Sequence, residues 1–256
     1  MSSPERPRIL VTNDDGFDAP GLRALIDALE PIGRVVVVAP DREHSGASHA
    51  LTFRRPLRVG RVEPDRYRID GTPTDCVHLG VFELAGGHTD LVVSGINRGY
   101  NVGDDVTYSG TVAGAMEAAL LHVPAIAVST AAADQGAPDY EGAAGIARTL
   151  AGEVLRKGLP DGRFLNVNVP PPPRRGSRVT RQGTRTYRAV VVERIDPKGE
   201  PYYWIGGPDT TPTEERDGDH RAVRDGYVSI SPMHADLTHV PSLALLRSWG
   251  LEEDAP

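Results

Sequence analysis

Five short apolar runs, rich in β-branched residues, limit what this chain can become more than any other feature. They are Ile9-Leu10-Val11, Val35 to Val38, Leu91-Val92-Val93, Ala125 to Val128 and Phe164 to Val169. A strand with one wet face alternates apolar and polar residues; these runs mostly do not, so both their faces must be covered. Between them lie stretches that read as helices, at Gly21–Glu30, Pro73–Leu84, Thr111–His122 and Tyr140–Lys157. Strands alternating with helices predict βαβ units, and hence an α/β fold with a mainly parallel, doubly wound sheet.

The pattern changes at Pro170 to Pro173, which stop regular structure. Residues 177 to 207 carry Val, Tyr, Thr and Trp around turn signals at Asp196–Gly199, and predict a β-hairpin extending from the sheet. A short helix near 214–224, a strand at 226–231 and a C-terminal helix near 240–249 are expected to follow. The predicted organisation is a core over residues 1–169 and an appendage over 170–256 that belongs to the same domain. No internal repeat is evident.

Length and composition exclude several classes. A chain of 256 residues buries roughly 75% of its unfolded surface, so it needs no disulfide or structural metal to fold. Its single cysteine, Cys76, rules out an internal disulfide and a cysteine-based zinc site, and its apolar neighbours predict a buried core thiol. No run approaches the ~18 apolar residues of a membrane span. The first residues, MSSPERPR, lack the apolar core of a signal peptide, so a cytoplasmic protein is expected. A formal net charge of −7 argues against broad nucleic-acid binding. A small anionic substrate would then need local cationic help, such as a bound metal.

Chemistry concentrates immediately after three of the strands. The first runs into Thr12-Asn13-Asp14-Asp15-Gly16, the second ends in Ala39-Pro40-Asp41-Arg42-Glu43-His44-Ser45-Gly46, and a later one ends in Ser94-Gly95-Ile96-Asn97-Arg98-Gly99-Tyr100-Asn101. In an open parallel sheet these segments meet along one edge, where ligand crevices form. Asp14 and Asp15 would point to opposite faces of an extended strand. They reach one ion only if the strand has already turned, which Gly16 permits. Two adjacent carboxylates repel, and a hard divalent cation resolves the conflict; the alternative is a solvated turn with a helix N-cap. Ser45 and Asn97 add neutral oxygen donors on neighbouring strand ends. An oxygen-only set makes Mg²⁺, Mn²⁺ or Ca²⁺ the candidate cofactor. Tyr108-Ser109-Gly110-Thr111 precedes a helix of small residues, Val112 to Leu120, whose free N–H groups form an anion site if they do more than cap.

These residues, in this order, resemble the SurE (survival protein E) family. Asn13-Asp14-Asp15-Gly16 with Ala19-Pro20-Gly21, and Ala39-Pro40-Asp41-Arg42 with Ser45-Gly46-Ala47-Ser48, carry the likeness. So do Gly71-Thr72-Pro73-Thr74-Asp75-Cys76-Val77, Ser94 to Gly103, and Tyr108-Ser109-Gly110-Thr111-Val112. The resemblance spans roughly residues 8 to 240. It implies a Rossmann-like three-layer α/β/α core with a C-terminal β-hairpin and helical extension that exchanges contacts in homodimers or homotetramers. It implies 5′/3′-nucleotidase activity on nucleoside monophosphates, with exopolyphosphatase activity in some relatives. By position it assigns Asp14, Asp15, Ser45 and Asn97 to one divalent cation, and sets Asn101 and Ser109, Gly110 and Thr111 near the phosphate. Asn13 and Gly46, which lie beside the ligand set, are further candidate substrate contacts. The chain departs from the family pattern at His44, at His49-Ala50 and at Gly218-Asp219.

The expected reaction is direct attack of water on a metal-bound monoester, with Asp14, ahead of Asp15, accepting a proton. His44, His49 and His234 are candidate acids for the leaving alkoxide, each otherwise an ordinary surface or interface histidine. A phosphoaspartate route is disfavoured: it calls for a second Asp two residues on and a lysine partner, whereas the aspartates are adjacent and Lys157 is the sole lysine before residue 170. Two non-catalytic readings stand beside these: a phosphate or nucleotide sensor on the same fold, and an interaction protein using the aromatic segment Tyr187–Ile205.

Overall fold

A computed structural model of the chain describes residues 6–133, 135–187, 191–205, 210–212 and 215–250. In chain order the first half comprises β1 (Arg8–Thr12), α1 (Pro20–Leu29), β2 (Arg34–Pro40), β3 (Val59–Glu63), β4 (Arg66–Ile69), α2 (Pro73–Leu79) and β5 (Leu91–Arg98). Next come α3 (Gly110–Leu120), β6 (Ala125–Thr130), α4 (Tyr140–Lys157) and β7 (Arg163–Val169). The last third adds β8 (Ser177–Val179), β9 (Arg185–Tyr187), β10 (Val191–Ile195), β11 (Pro201–Ile205), β12 (Thr210–Pro212), α5 (Asp219–Arg224), β13 (Val228–His234) and α6 (Val240–Arg247).

Nine strands form one sheet in the order β3-β4-β2-β1-β5-β6-β7-β13-β8. From β4 to β7 every pair is parallel, with Val11 between Val37 and Val93 at its centre. The edges are mixed: β3 runs antiparallel to β4, and β13 antiparallel to β7. This is the expected mainly parallel α/β sheet. Strand order reverses at β1, which has β2 on one side and β5 on the other. The crevice such a reversal opens lies beyond the carboxyl ends of these strands.

The unbroken apolar runs follow from burial on both faces. Successive side chains of a strand point to opposite sides. Ile9, Val11, Val35, Val37 and Val93 pack with α1 and α4 on one face, while Leu10, Val36, Val38 and Val92 pack with α2 and α3 on the other. Helix starts are encoded locally. Thr72 and Asp75 form a reciprocal capping box on α2, with Pro73 at its first position, and Asp139 caps α4 by accepting from the Gly142 N–H at 2.9 Å.

Several elements differ from the sequence reading. β3 and β4 were not predicted, because their sequence, VGRVEPDRYRI, is laced with charges and has no apolar run. β3 forms the exposed edge of the sheet, where charge keeps other strands from adding, and β4 lies half-buried between it and β2. The helix predicted over Pro73–Leu84 stops at Leu79 and widens into a π-helical turn over Gly80–Leu84. The helix expected near 214–224 is confined to Asp219–Arg224, and the strand expected at 226–231 runs from Val228 to His234. The hairpin region resolves into three parts. β8 joins the main sheet beside β13, β9 pairs with β12, and β10 pairs with β11 around the turn at Asp196–Gly199.

Candidate metal and phosphate site

Beyond Thr12 the chain leaves β1 and turns at once. Gly16 adopts φ +98°, and a Cβ there would sit 3.1 Å from the Arg42 carbonyl carbon, so both its conformation and its closeness to the next loop call for glycine. The Asn13 amide donates to Gly16 O at 2.9 Å and fixes the turn. Asp14 is thereby turned inward, 3% exposed, and Asp15 stays half-buried.

Three segments close on this turn. From the β2 loop, the His44 N–H donates to Asp14 O at 2.8 Å. From the end of β5, the Arg98 N–H donates to Asp15 Oδ2 at 3.3 Å. From α3, Thr111 Oγ1 donates to Asp14 Oδ1, and a Cβ at Gly110 would lie 2.8 Å from Asp14 Cβ. Asp14 therefore sits directly against the first turn of α3, which Ser109 caps by accepting from the Val112 N–H at 3.1 Å. A register shift between Gly95 and Asn97 in the β5–β6 ladder re-aims the strand end that carries Asn97.

The β2 loop is tied down along its length. Ser48 donates through N–H and Oγ to Tyr108 O and Thr107 O, at 3.1 and 2.7 Å. His49 Nε2 meets Glu117 Oε2 at 2.8 Å, and Thr52 donates through N–H and Oγ1 to Asp75, at 2.8 and 2.7 Å. The Glu117 carboxylate is buried on α3, and its other oxygen takes His78 Nδ1 at 3.0 Å. Burial pushes the Glu117 carboxyl up, but the two histidine bonds outweigh it, and the group ends below its ordinary value.

Burial dominates the electrostatics of the two aspartates. Burial, helped by the neighbouring Asp15 charge and opposed by the Thr111 hydroxyl, pushes Asp14 up to about 6. Asp15 is raised too, by burial first and by Glu43, against the Arg98 N–H and charge. Among the described residues no three His, Cys, Asp or Glu side chains gather as a metal group. A cation here must therefore combine the two carboxylates with neutral oxygens. The residues suit that demand: Asn13 Oδ1 is buried without a hydrogen-bond partner, and the available donors are all oxygen, the chemistry of a hard divalent ion.

The remaining candidates fall into distinct places. Ser45 is exposed, and its hydroxyl donates to Glu43 Oε1 at 2.8 Å; Gly46 beside it is exposed as well. Asn97 donates its amide N–H to Gly99 O at 2.8 Å. Asn101 is buried and engaged: its Nδ2 donates to Ser129 Oγ, its N–H to Asn168 Oδ1, and its carbonyl accepts from Asn166 and Asn168. Its side chain thus bonds Ser129 near the carboxyl end of β6, and the residue pins the loop that follows β5. Tyr100 and Val102, on either side of it, line a cavity of about 210 Å³ with Gln135, His220, Val223 and Arg224. Burial pushes the Tyr100 phenol up to about 12, so it stays neutral.

Of the three candidate histidine acids, His234 is misplaced within one chain. It pairs with Arg163 at the start of β7, the opposite edge of the sheet from the crevice. His44 carries a buried, unpartnered Nε2, and His49 is held by Glu117. Cys76 is fully buried, as its apolar neighbours predicted. Sequence reasoning missed the Thr111–Asp14 bond and the His49–Glu117–His78 cluster. Their partners lie 97, 68 and 39 positions apart, and no local pattern marks them.

Known proteins sharpen the picture. A family model described as Survival protein SurE matches residues 9–189. A 5′-nucleotidase SurE of Geotalea uraniireducens (strain Rf4) is 52% identical over 247 residues, covering 95% of this chain and 99% of that protein. Its counterpart in Geobacter sulfurreducens is 51% identical over 251 residues, covering 97% of this chain and 95% of that protein. Among solved structures, a SurE protein from Aquifex aeolicus is 43% identical with a TM-score of 0.83, covering 95% of this chain and all of that one.

Proposed function

We propose what this crevice does from one premise: the chain belongs to the SurE family. It is a 5′-nucleotidase, a phosphoric monoester hydrolase that converts nucleoside monophosphates to nucleoside and inorganic phosphate. One observation carries the reading from family to residues: the buried Asp14 carboxylate lies against the first turn of α3, bonded to Thr111. A group that handles protons thus adjoins a group of N–H donors suited to phosphate.

In this reading Asp14, Asp15, Ser45 and Asn97 hold one divalent cation, Mg²⁺ or Mn²⁺, which when bound neutralises charge developing on the phosphoryl oxygens. The N–H groups of Gly110 and Thr111 hold the other phosphoryl oxygens, with Asn13 and Gly46 at the rim. Ser109 and Asn101 act one step back, by capping α3 and by pinning the loop. Asp14 accepts a proton from the attacking water. The new bond joins water oxygen to phosphorus as the bond from phosphorus to the sugar oxygen breaks; that oxygen takes a proton from solvent, and Asp14 releases its own to solvent.

The test is phosphate release from AMP, GMP, 3′-nucleotides and polyphosphate, crossed with Mg²⁺, Mn²⁺ and Ca²⁺, with and without EDTA. Release from the monophosphates that EDTA abolishes and Mg²⁺ or Mn²⁺ restores is the expected result. Asp14→Asn should cost at least about 100-fold in kcat. Near-normal metal-dependent release by that variant sinks the assignment of Asp14, and no release from any nucleotide would favour a sensor.

The same reading makes the chain a homodimer or homotetramer, with residues 170–256 as the part of the domain that serves assembly. The exposure of Tyr203, Trp204 and Ile205 on β11 and of Leu245, Leu246 and Trp249 in and beside α6 supports it. Among the described residues no helix is long and apolar enough to cross a membrane. We place the protein in the cytoplasm, where its one free thiol stays reduced.

A further inference from the structure

We infer that Asp219 and Gln182, from the last third of the chain, are positioning residues for the phosphate-binding segment, because together they clasp Gly103, one at its N–H and the other at its carbonyl. The inference rests on the nucleotidase reading, and it adds two residues that touch none of the reacting atoms.

Residues 97–111 form one continuous segment that begins with Asn97 and ends on the first turn of α3. Its near part is anchored by Asn101, through β6 and β7. Its middle, where a 3₁₀ turn starts at Gly103, is held from outside. Asp219 Oδ2 accepts from the Gly103 N–H at 2.9 Å, and Gln182 Nε2 donates to Gly103 O at 2.9 Å. The turn then runs to Thr107, and the carbonyls of Thr107 and Tyr108 receive Ser48 of the β2 loop. Displacing Gly103 would therefore move the Gly103–Thr107 turn and with it the approach to the first turn of α3.

Asp219 is built for this task. It is fully buried, yet among the described residues no cationic side chain faces it in a hydrogen bond. Three backbone N–H groups do, from Gly103, from Gly183 at 3.0 Å and from His220 at 2.7 Å. A buried carboxylate is costly unless it is hydrogen-bonded, and one that accepts only from backbone fixes the positions of the chains that donate. Those chains are the catalytic-edge segment, the stretch that follows β8, and α5. The Asp219 N–H in turn donates to Arg181 O at 3.0 Å, so the clasp is itself tied to the residue before Gln182.

The experiment compares wild type, Gln182→Ala and Asp219→Asn as full chains. Gln182 is exposed, so its substitution spares the fold even if Asp219→Asn does not survive purification. Three readouts are taken: kcat and KM for AMP with saturating Mg²⁺, the Kd of inorganic phosphate by calorimetry, and hydrogen exchange of residues 99–109. Loss of one anchoring bond should raise KM and the phosphate Kd about 5-fold in Gln182→Ala, and more in Asp219→Asn. The expected pattern keeps kcat within about 2-fold of wild type, with the half-activating Mg²⁺ concentration unmoved and exchange faster in 99–109 alone. Unchanged KM and phosphate Kd in a folded Gln182→Ala protein overturns the inference, as does a uniform loss of kcat, metal affinity and thermal stability. A wild type that binds phosphate but releases none defeats the nucleotidase reading instead, and the phosphate Kd and exchange still decide the clasp.

Discussion

Asp14 is the residue at which charge, burial and chemistry conflict most openly. Its folded value of about 6 lies above the ~3.9 of an unfolded aspartate, so between those values the folded chain holds more protons than the unfolded one. Stability from this group is complete below about pH 4 and is lost as pH rises through about 6. Asparagine at the same position suffers no such loss. Metal-free Asp14→Asn should therefore gain on wild type as pH rises from 4.5 to 7, by about 2 kcal/mol. Urea melts in EDTA at several pH values measure this, and a difference independent of pH would sink it. Thr111→Val tests the adjacent bond: it keeps shape, removes the donor to Asp14 Oδ1, and should lower kcat about 10-fold or more without unfolding the chain. The turn at Asp14-Asp15 was legible in the sequence from the glycine that follows, while the pair alone left a metal site and a solvated turn equally open. The Thr111 bond was not, since a hydroxyl at a helix start reads equally well as a cap.

Elements were legible in proportion to how far burial controls their composition. The central strands declared themselves because both faces are covered, and no polar residue could be placed there cheaply. β3 and β4 did not, because the exposed edge and the half-buried strand beside it tolerate arginine and glutamate, and nothing in their composition separates them from a loop. α3 lies between these extremes. Its small residues predicted close packing on the sheet, and a Cβ at Gly114 would come 3.0 Å from Ser94 Oγ and 3.2 Å from Thr12 Cγ2. Gly114→Val should accordingly lift α3 off β1 and β5 and cost about 1–3 kcal/mol by overpacking. Because the first turn of α3 bears on Asp14, the same variant should lose phosphate release in greater proportion than its melting temperature suggests. A stable variant with full activity would show that the α3 seat does not set the crevice.

For the molecule as a whole, the sheet continues past the core the sequence marked out. β13 and β8, both beyond Pro173, complete its far side, and Asp219 returns from there to Gly103. Proline-rich breaks in the sequence signal a change of direction, and contacts that cross such a break leave no local trace. The surface is legible in another way. Trp204 is 66% exposed and Ile205 87%, on a two-stranded ladder that among the described residues joins no larger sheet. Two strands alone are marginal in water, and a patch of this kind is characteristically covered by a partner. Sedimentation at micromolar concentration should therefore find at least a dimer. Replacing Trp204 and Ile205 together with serine should weaken that assembly at least about 10-fold, as expected when two large apolar anchors leave an interface. A wild-type chain that sediments as a monomer, or a double variant with undiminished mass, would remove the ladder from the interface and leave its exposed rings without a partner of this kind.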